Sequence, residues 1–126
     1  KMQKKDAVVF SGRLSTEDLN TALSGATAMI FPSLFEGFGI PILEAFKSQT
    51  AVITANNSSL PEIAGDAALF VNAKSQDEIL AGMQKIEANK ELRKELIAKG
   101  KVQANKFDWD KSAEKLWDIM LKTIKG

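Results

Sequence analysis

Short apolar runs alternate along this chain with longer stretches in which apolar residues recur every three or four positions. Runs of four or five apolar residues, ended by polar residues or proline, are typical of strands that are covered on both faces. The longer stretches have the spacing of helices with one buried face. Strands are predicted at residues 7–11, 27–31, 51–54 and 68–71; helices are predicted at residues 16–25, 40–48, 76–89, 90–105 and 110–124, with a short one from residue 60.

The order of these elements predicts the fold class. Strands that alternate with helices favour a parallel sheet with helices on both faces, because each parallel connection needs a crossover. The sequence therefore predicts an α/β fold, a doubly wound parallel sheet of about four strands, with a helical carboxyl-terminal third. The chain has 126 residues and neither an internal repeat nor a linker, so a single domain is expected.

Serines mark the predicted helix starts. Ser59 and Ser75 are each followed three residues later by a glutamate, Glu62 or Glu78, which is the spacing of a capping box. Ser15 is predicted to cap the first helix in a similar way. Glu62 is accordingly interpreted as a capping residue rather than as a ligand.

Composition narrows the classes of function. The formal net charge of +1 gives no electrostatic reason to expect a nucleic-acid partner. No apolar run approaches the roughly 20 residues that cross a bilayer, so no membrane span is expected. The basic start at residues 1–6 leads into an apolar run that is too short for an export signal. The sequence contains no cysteine and no histidine, so it offers no thiol nucleophile, no cysteine–zinc site and no histidine base.

The segment at residues 31–45 carries the candidate chemistry. Glu36 and Glu44 stand eight positions apart, on either side of a Gly-Phe-Gly-Ile-Pro turn that is predicted to open a helix. The first amides of a helix have no partner within the helix and lie at the positive end of its dipole. Gly37 and Gly39 would let a phosphate approach the backbone closely. Three amides are candidate phosphate donors: those of Phe38, Gly39 and Ile40.

Two carboxylates that flank an anion site suggest a ligand with hydroxyl groups on both sides of its phosphates, as in a nucleotide sugar. The residues alone leave a second interpretation open. A glycine-rich turn before a helix is often only a tight connection, and a carboxylate near a helix start, such as Glu44, is favoured by the dipole.

The whole chain resembles the carboxyl-terminal domain of the retaining GT-B glycosyltransferases, in the family 4 group (glycosyl transferases group 1). The resemblance rests on the run Phe-Pro-Ser-x-x-Glu-Gly-Phe-Gly-Ile-Pro-x-x-Glu-Ala from Phe31 to Ala45, which contains the Glu-x7-Glu motif of that family. It continues, in the order of the family, at residues 51–54, 60–63, 65–69 and 107–109.

The resemblance implies a role for each residue of the motif. Glu36 would face hydroxyl groups of the donor sugar and is the implied catalytic residue, while Glu44 would accept hydrogen bonds from the ribose diol. The backbone amides between them would hold the sugar and the diphosphate. The implied donor-binding residues are Glu36, Gly37, Phe38, Gly39, Ile40 and Glu44.

The resemblance also implies a reaction and its setting. A sugar would pass with retention from a nucleotide-diphosphate sugar to an acceptor, in the synthesis of a polysaccharide or a glycolipid. No metal site and no cofactor besides the donor substrate would be needed. The location would be cytoplasmic, with a peripheral contact of the full-length protein at the cytoplasmic face of the membrane left open.

The chain is expected to be one part of such an enzyme. In the family, the Lys that binds the diphosphate follows the Arg by five residues. Five residues after Arg13 this chain has Asp18 instead of Lys, so Arg13 is assigned to a later segment of the family sequence. Residues 1–126 would then be a single partial domain, the nucleotide-sugar-binding half, without the acceptor-binding amino-terminal domain. Such a fragment is expected to be inactive alone.

The last predicted helix contains two tryptophans and an apolar stripe. Trp109 and Trp117 are interpreted as packing residues, in the core or between domains. In the family this helix crosses to the amino-terminal domain, so the apolar stripe that ends in Trp117, Met120 and Leu121 would here be either an exposed patch or a surface that promotes self-association. The alternative function, from a different class, is a non-catalytic nucleotide-binding or interaction module that retains the fold.

Overall fold

The computed structural model describes residues 7–126, which form six α-helices and three β-strands. The basic segment at residues 1–6, where the sequence predicts no export signal, lies outside the described residues. The elements in chain order are α1 (Thr16–Gly25), β1 (Ala28–Phe31), α2 (Ile40–Lys47), β2 (Ala51–Ala55), α3 (Leu60–Ala64), β3 (Ala68–Val71), α4 (Gln76–Ala88), α5 (Lys90–Ala104) and α6 (Trp109–Lys125).

The three strands form one parallel sheet in the order β1-β2-β3. Ala28 is paired with Ala51, and Val52 is paired with Ala68. All five residues of the central strand β2 are buried, as expected for a strand with a neighbour on each side and helices on both faces. The predicted parallel α/β arrangement is confirmed.

Successive residues of β2 point into two different cores. Val52 belongs to a cluster that includes Phe46 of α2 and Leu60 of α3. Ile53 belongs to a second cluster that includes Ile86 of α4 and Leu96 of α5. Adjacent residues of a strand face opposite sides of the sheet, so helices cover both faces, as a doubly wound fold requires. Full burial of each such side chain contributes about 1.5–3 kcal/mol.

The strand predicted at residues 7–11 does not form. Val9 and Phe10 are 87% and 88% exposed, and the backbone there has neither helical nor strand structure. A strand needs a neighbour to receive its backbone hydrogen bonds. Within residues 7–126, β1 is an edge strand and nothing pairs along its free side. The prediction of a strand at residues 7–11 is therefore wrong for the described residues.

α6 is strongly amphipathic, and none of its residues is buried. Trp109 and Trp117 are 72% and 60% exposed, so neither packs in the core of residues 7–126, while their packing between domains stays a prediction. The expected exposed apolar stripe is confirmed at Leu116, Trp117 and Met120, whereas Leu121 is half-buried. No helix within residues 7–126 is long and apolar enough to cross a bilayer.

Two of the predicted serine caps are present. The Ser15 hydroxyl accepts from the Asp18 amide at 3.1 Å, and the Ser75 hydroxyl accepts from the Glu78 amide at 3.2 Å. The second half of the Ser75 box is replaced, because the Glu78 carboxylate accepts from the Asn72 amide at 2.8 Å. Each such cap stabilises its helix by about 0.5–2 kcal/mol.

Candidate functional site

The candidate site lies where the chain leaves β1 and enters α2, at the carboxyl end of the parallel strands. Open α/β sheets bind ligands at this edge. α2 begins abruptly because Gly39 precedes it with φ of +107° and Pro41 stands in its first turn, where a missing N–H costs nothing. The Ile42 amide donates to the Gly39 carbonyl at 3.0 Å and closes this first turn.

The start of α2 leaves backbone donors without partners. Within residues 7–126, the amides of Phe38, Gly39 and Ile40 donate to no other group. These amides stand at the positive end of the α2 dipole, so an anion would be favoured beside them. Phe38 and Ile40 are exposed residues, whereas Gly39 is buried, so a ligand would meet Phe38 and Ile40 first.

The two glycines of the turn differ in their surroundings. A Cβ on Gly39 would lie 3.3 Å from Leu60 Cδ2, and the φ of +107° is one that side-chain-bearing residues rarely adopt. Gly37 has an ordinary φ and nothing within 4 Å of the position of a Cβ. Gly39 is therefore required by the fold, while the absence of a side chain at Gly37 leaves open space above the loop.

Glu36 is held through its backbone by the loop that follows β2. Its amide donates to Ser58 Oγ at 3.1 Å, and its carbonyl accepts from Ser59 Oγ at 2.9 Å. The Ser59 hydroxyl is also 2.9 Å from the carbonyl of Phe38. The predicted capping box of Ser59 and Glu62 is wrong, because Ser59 makes no side-chain cap at α3 and its hydroxyl is turned to the 36–40 loop instead.

Glu44 borders a cleft of about 130 Å³ between the start of α2 and the junction of α5 with α6. Phe38 and Phe107 form one wall, with their ring centroids 5.9 Å apart and their planes nearly perpendicular. This geometry is a favourable aromatic pairing. The residues that line the cleft are Phe38, Ile40, Leu43, Glu44, Lys47, Lys106, Phe107, Asp108, Trp109 and Ser112.

The predicted site residues are therefore only partly assembled around one space. Phe38, Ile40 and Glu44 share the cleft, Gly39 lies beneath them, and Glu36 and Gly37 stand on the preceding part of the loop, outside the cleft lining. A cleft with carboxylates, lysines and aromatic rings can accept from hydroxyl groups, offset a phosphate charge and stack against a flat ring.

Sequence reasoning missed the two lysines of the cleft. Lys47 follows Glu44 by three residues on the same helix, a spacing that places both on one face and could have been noticed. Lys106 has no comparable signal, because it reaches the cleft only through the packing of α5 against α2. Arg13 is exposed and is not among the residues that line this cleft.

No group of three or more Asp and Glu side chains within residues 7–126 is arranged to hold a metal ion. Glu36 and Glu44 are half-buried residues. Each therefore keeps part of its surface open to a ligand that arrives from solvent.

Comparison with known proteins decides the family. The family model described as "Glycosyl transferases group 1" matches residues 1–103. This chain belongs to the glycosyl transferases group 1 family. The match includes the whole sheet, the 36–40 loop and α2, and it ends in α5, before α6.

Several bacterial group 1 relatives are mannosyltransferases by name. The O-antigen chain mannosyltransferase B of Escherichia coli is 36% identical over 101 residues, which are 80% of this chain and 26% of the relative. The serotype-specific mannosyltransferase WbdA of Escherichia coli is 33% identical over 109 residues, 86% of this chain and 13% of the relative. The MMP alpha-(1->4)-mannosyltransferase of Mycolicibacterium hassiacum is 32% identical over 124 residues, 94% of this chain and 30% of the relative.

This group 1 chain therefore spans less than a third of the length of each of these relatives. Each match covers more than three quarters of the chain.

Proposed function

We propose that this chain is the nucleotide-sugar-binding part of a retaining GT-B glycosyltransferase that builds a polysaccharide or a glycolipid. The observation that carries the proposal is the 36–40 loop. It joins Glu36 to the start of α2 at the carboxyl edge of the sheet, and within residues 7–126 its amides from Gly37 to Ile40 donate to no other group. Membership of the group 1 family supports sugar transfer as the reaction.

In this proposal the free amides bind the diphosphate, and the helix dipole of α2 offsets its charge. Lys47 and Lys106 add positive charge nearby and help to neutralise the leaving group. Glu44 accepts from the ribose diol, and Glu36 accepts from hydroxyl groups of the transferred sugar. Catalysis then depends on positioning and on electrostatic stabilisation of an oxocarbenium-like transition state, without a metal.

The names of the relatives support a mannosyl nucleotide as the donor. Three of the most similar relatives are mannosyltransferases by name, and two of those names refer to O-antigen or to a serotype. We propose a cytoplasmic location for the protein, since nucleotide sugars are made in that compartment.

The remainder of the longer protein is the proposed partner of α6. The apolar face of α6 is exposed at Leu116, Trp117 and Met120, and neighbouring exposed apolar residues of this kind are typical of an interaction surface. The length of the relatives supports an acceptor-binding domain as the part that covers this face. The isolated chain is accordingly expected to bind a nucleotide without transferring a sugar.

The test is a titration of the ¹⁵N-labelled chain with UDP, GDP and ADP, followed by NMR at the amides of residues 36–44. We expect shifts that are concentrated in this loop and strongest for one base. In Glu44→Gln, loss of a charge-assisted hydrogen bond of about 1–3 kcal/mol should weaken binding by roughly 5- to 150-fold. Glu62→Gln removes an exposed carboxylate from α3, outside the cleft, and serves as the matched control.

Two results would contradict the proposal. An unchanged affinity in Glu44→Gln would remove the ribose role from this residue. Shifts that are scattered over the surface at millimolar nucleotide, with no preference for the 36–40 loop, would mean that the loop is only a tight connection. Addition of EDTA is expected to leave the affinity unchanged.

A further inference from the structure

Two consecutive serines after β2 form three hydrogen bonds to the backbone of the 36–40 loop, although the bonded residues are 21 to 23 positions apart in the chain. We propose that Ser58 and Ser59 are positioning residues that set the conformation of the 36–40 loop. Their importance for a ligand rests on the proposed function, whereas their effect on the loop does not.

Two of the three bonds hold the backbone groups of Glu36, and the third holds the carbonyl of Phe38. Ser58 Oγ accepts from its amide at 3.1 Å, and Ser59 Oγ lies 2.9 Å from its carbonyl. The Ser59 hydroxyl has one proton, which it shares between the carbonyls of Glu36 and Phe38, both at 2.9 Å. Since the direction of a side chain follows from its backbone, these bonds also determine where the Glu36 carboxylate can point.

Ser58 adopts a conformation that serine rarely takes. Its φ is +50°, in the left-handed region, where glycine or asparagine would be at less cost. In this conformation its hydroxyl lies 3.4 Å from Asn57 Oδ1, to which it donates, so a lone pair remains for the Glu36 amide. Strained residues of this kind are typical of functional loops.

Ser59 stands at the start of α3 without capping it. Its φ of −79° and ψ of −11° are helical, and its side chain makes no bond to the α3 amides. The hydroxyl therefore gives up the usual helix-capping bond and bonds to the loop before α2 instead. Leu60, the next residue, lies against Gly39, so the same segment supports both ends of the loop.

A preorganised loop matters because a binding site loses affinity when its groups must be ordered on ligand binding. The free amides of Phe38 and Ile40 belong to the loop that the serines hold. Release of the Phe38 carbonyl would let this peptide rotate and move the amides away from a common direction. The expected result is weaker binding of a diphosphate without a loss of the fold.

The experiment compares Ser58→Ala, Ser58→Gly, Ser59→Ala and Ser59→Thr in the ¹⁵N-labelled chain. Amide chemical shifts and hydrogen exchange at Glu36 and Phe38 report on the loop, and titration with nucleoside diphosphates reports on the site. Thr21→Ala is the matched control, because Thr21 Oγ1 also donates to a backbone carbonyl, at 2.9 Å, but on the exposed surface of α1.

Loss of one hydrogen bond of ordinary strength should speed exchange of the Glu36 amide by about two- to tenfold. We expect this in Ser58→Ala and also in Ser58→Gly, which relieves the strain at φ +50° but lacks the hydroxyl. Ser59→Ala should shift the amides of residues 37–40, and Ser59→Thr, which keeps a hydroxyl, should restore them. Thr21→Ala should change neither.

Unchanged exchange and shifts in both alanine variants would overturn the inference. So would restoration of the loop by Ser58→Gly alone, because the backbone conformation and not the hydroxyl would then be responsible. If the variants loosen the loop and weaken nucleotide binding in parallel, both proposals gain support. If they loosen the loop of a chain that binds no nucleotide, the serines keep their role and the proposed function fails.

Discussion

Gly39→Ala is expected to destabilise the chain through a single turn of its backbone. An alanine at φ of +107° is strained by about 1–3 kcal/mol, and its Cβ would press on Leu60 Cδ2 at 3.3 Å. The lower entropy of the unfolded chain returns about 0.4–1 kcal/mol. The net loss should be about 1–2 kcal/mol, which lowers the melting temperature by about 4–8 °C for a domain of this size.

Gly37→Ala is the matched control, two residues away in the same loop. Its φ is ordinary and no heavy atom lies within 4 Å of the added Cβ, so its stability should equal or slightly exceed that of the natural sequence. If a ligand passes close to the backbone here, Gly37→Ala should nevertheless weaken nucleotide binding.

Urea denaturation followed by circular dichroism measures the stability of both variants, and the NMR titration measures their affinity. Equal stability of the two variants would refute the argument, because the φ at Gly39 and its contact with Leu60 would then have no cost. Full nucleotide affinity in Gly37→Ala would mean that no ligand group approaches that part of the loop.

Three further predictions concern the frame around the site. Gly100→Ala should lower the urea midpoint, because its Cβ would lie 2.6 Å from a ring atom of Phe46. The cost of this overpacking, about 1–3 kcal/mol, outweighs the gain in helix propensity of about 1 kcal/mol. An unchanged midpoint would contradict this packing. The pKa of Lys99 is raised above 10.5, chiefly by its hydrogen bond to a glutamate of α5. Charged Lys99 contributes fully to the stability below the ordinary pKa, and this contribution is lost as the pH rises through the raised pKa. A Lys99→Met variant should therefore show the same pH dependence of its urea midpoint as the natural sequence from about pH 6 to 9. A difference in that range would contradict the assignment. Trp109 and Trp117 should fluoresce as solvent-exposed indoles and be quenched by iodide, whereas a blue-shifted, protected emission would mean that α6 is covered in solution.

Much of the fold was predictable because its signals are local. The apolar run 51–54 predicted β2, which the structure extends by one residue to Ala55. The Gly-Ile-Pro sequence predicted the start of α2 at Ile40, because glycine permits the turn and proline suits the first helical turn. The three parallel strands then placed the 36–40 loop at the edge where ligands bind.

The errors arose where structure depends on distant partners. The run at residues 7–11 has the composition of a strand but no neighbour within the described residues, and composition does not report neighbours. Ser59 has the spacing of a cap, yet its hydroxyl bonds to carbonyls more than 20 residues earlier in the chain. The apolar stripe of α6 is a local signal of the sequence, but which surface covers it depends on a distant partner.

The same contrast explains how this site is built. The motif from Glu36 to Glu44 supplies the groups that could meet a ligand, but it does not determine their geometry alone. Ser58, Ser59 and Leu60, all after β2, hold the loop from one side, and Phe107, after α5, packs on Phe38 from the other. Because both supports belong to the same chain, in the connections from β2 to α3 and from α5 to α6, the loop can be preorganised without any other domain. The loop should therefore keep its shape in the isolated chain.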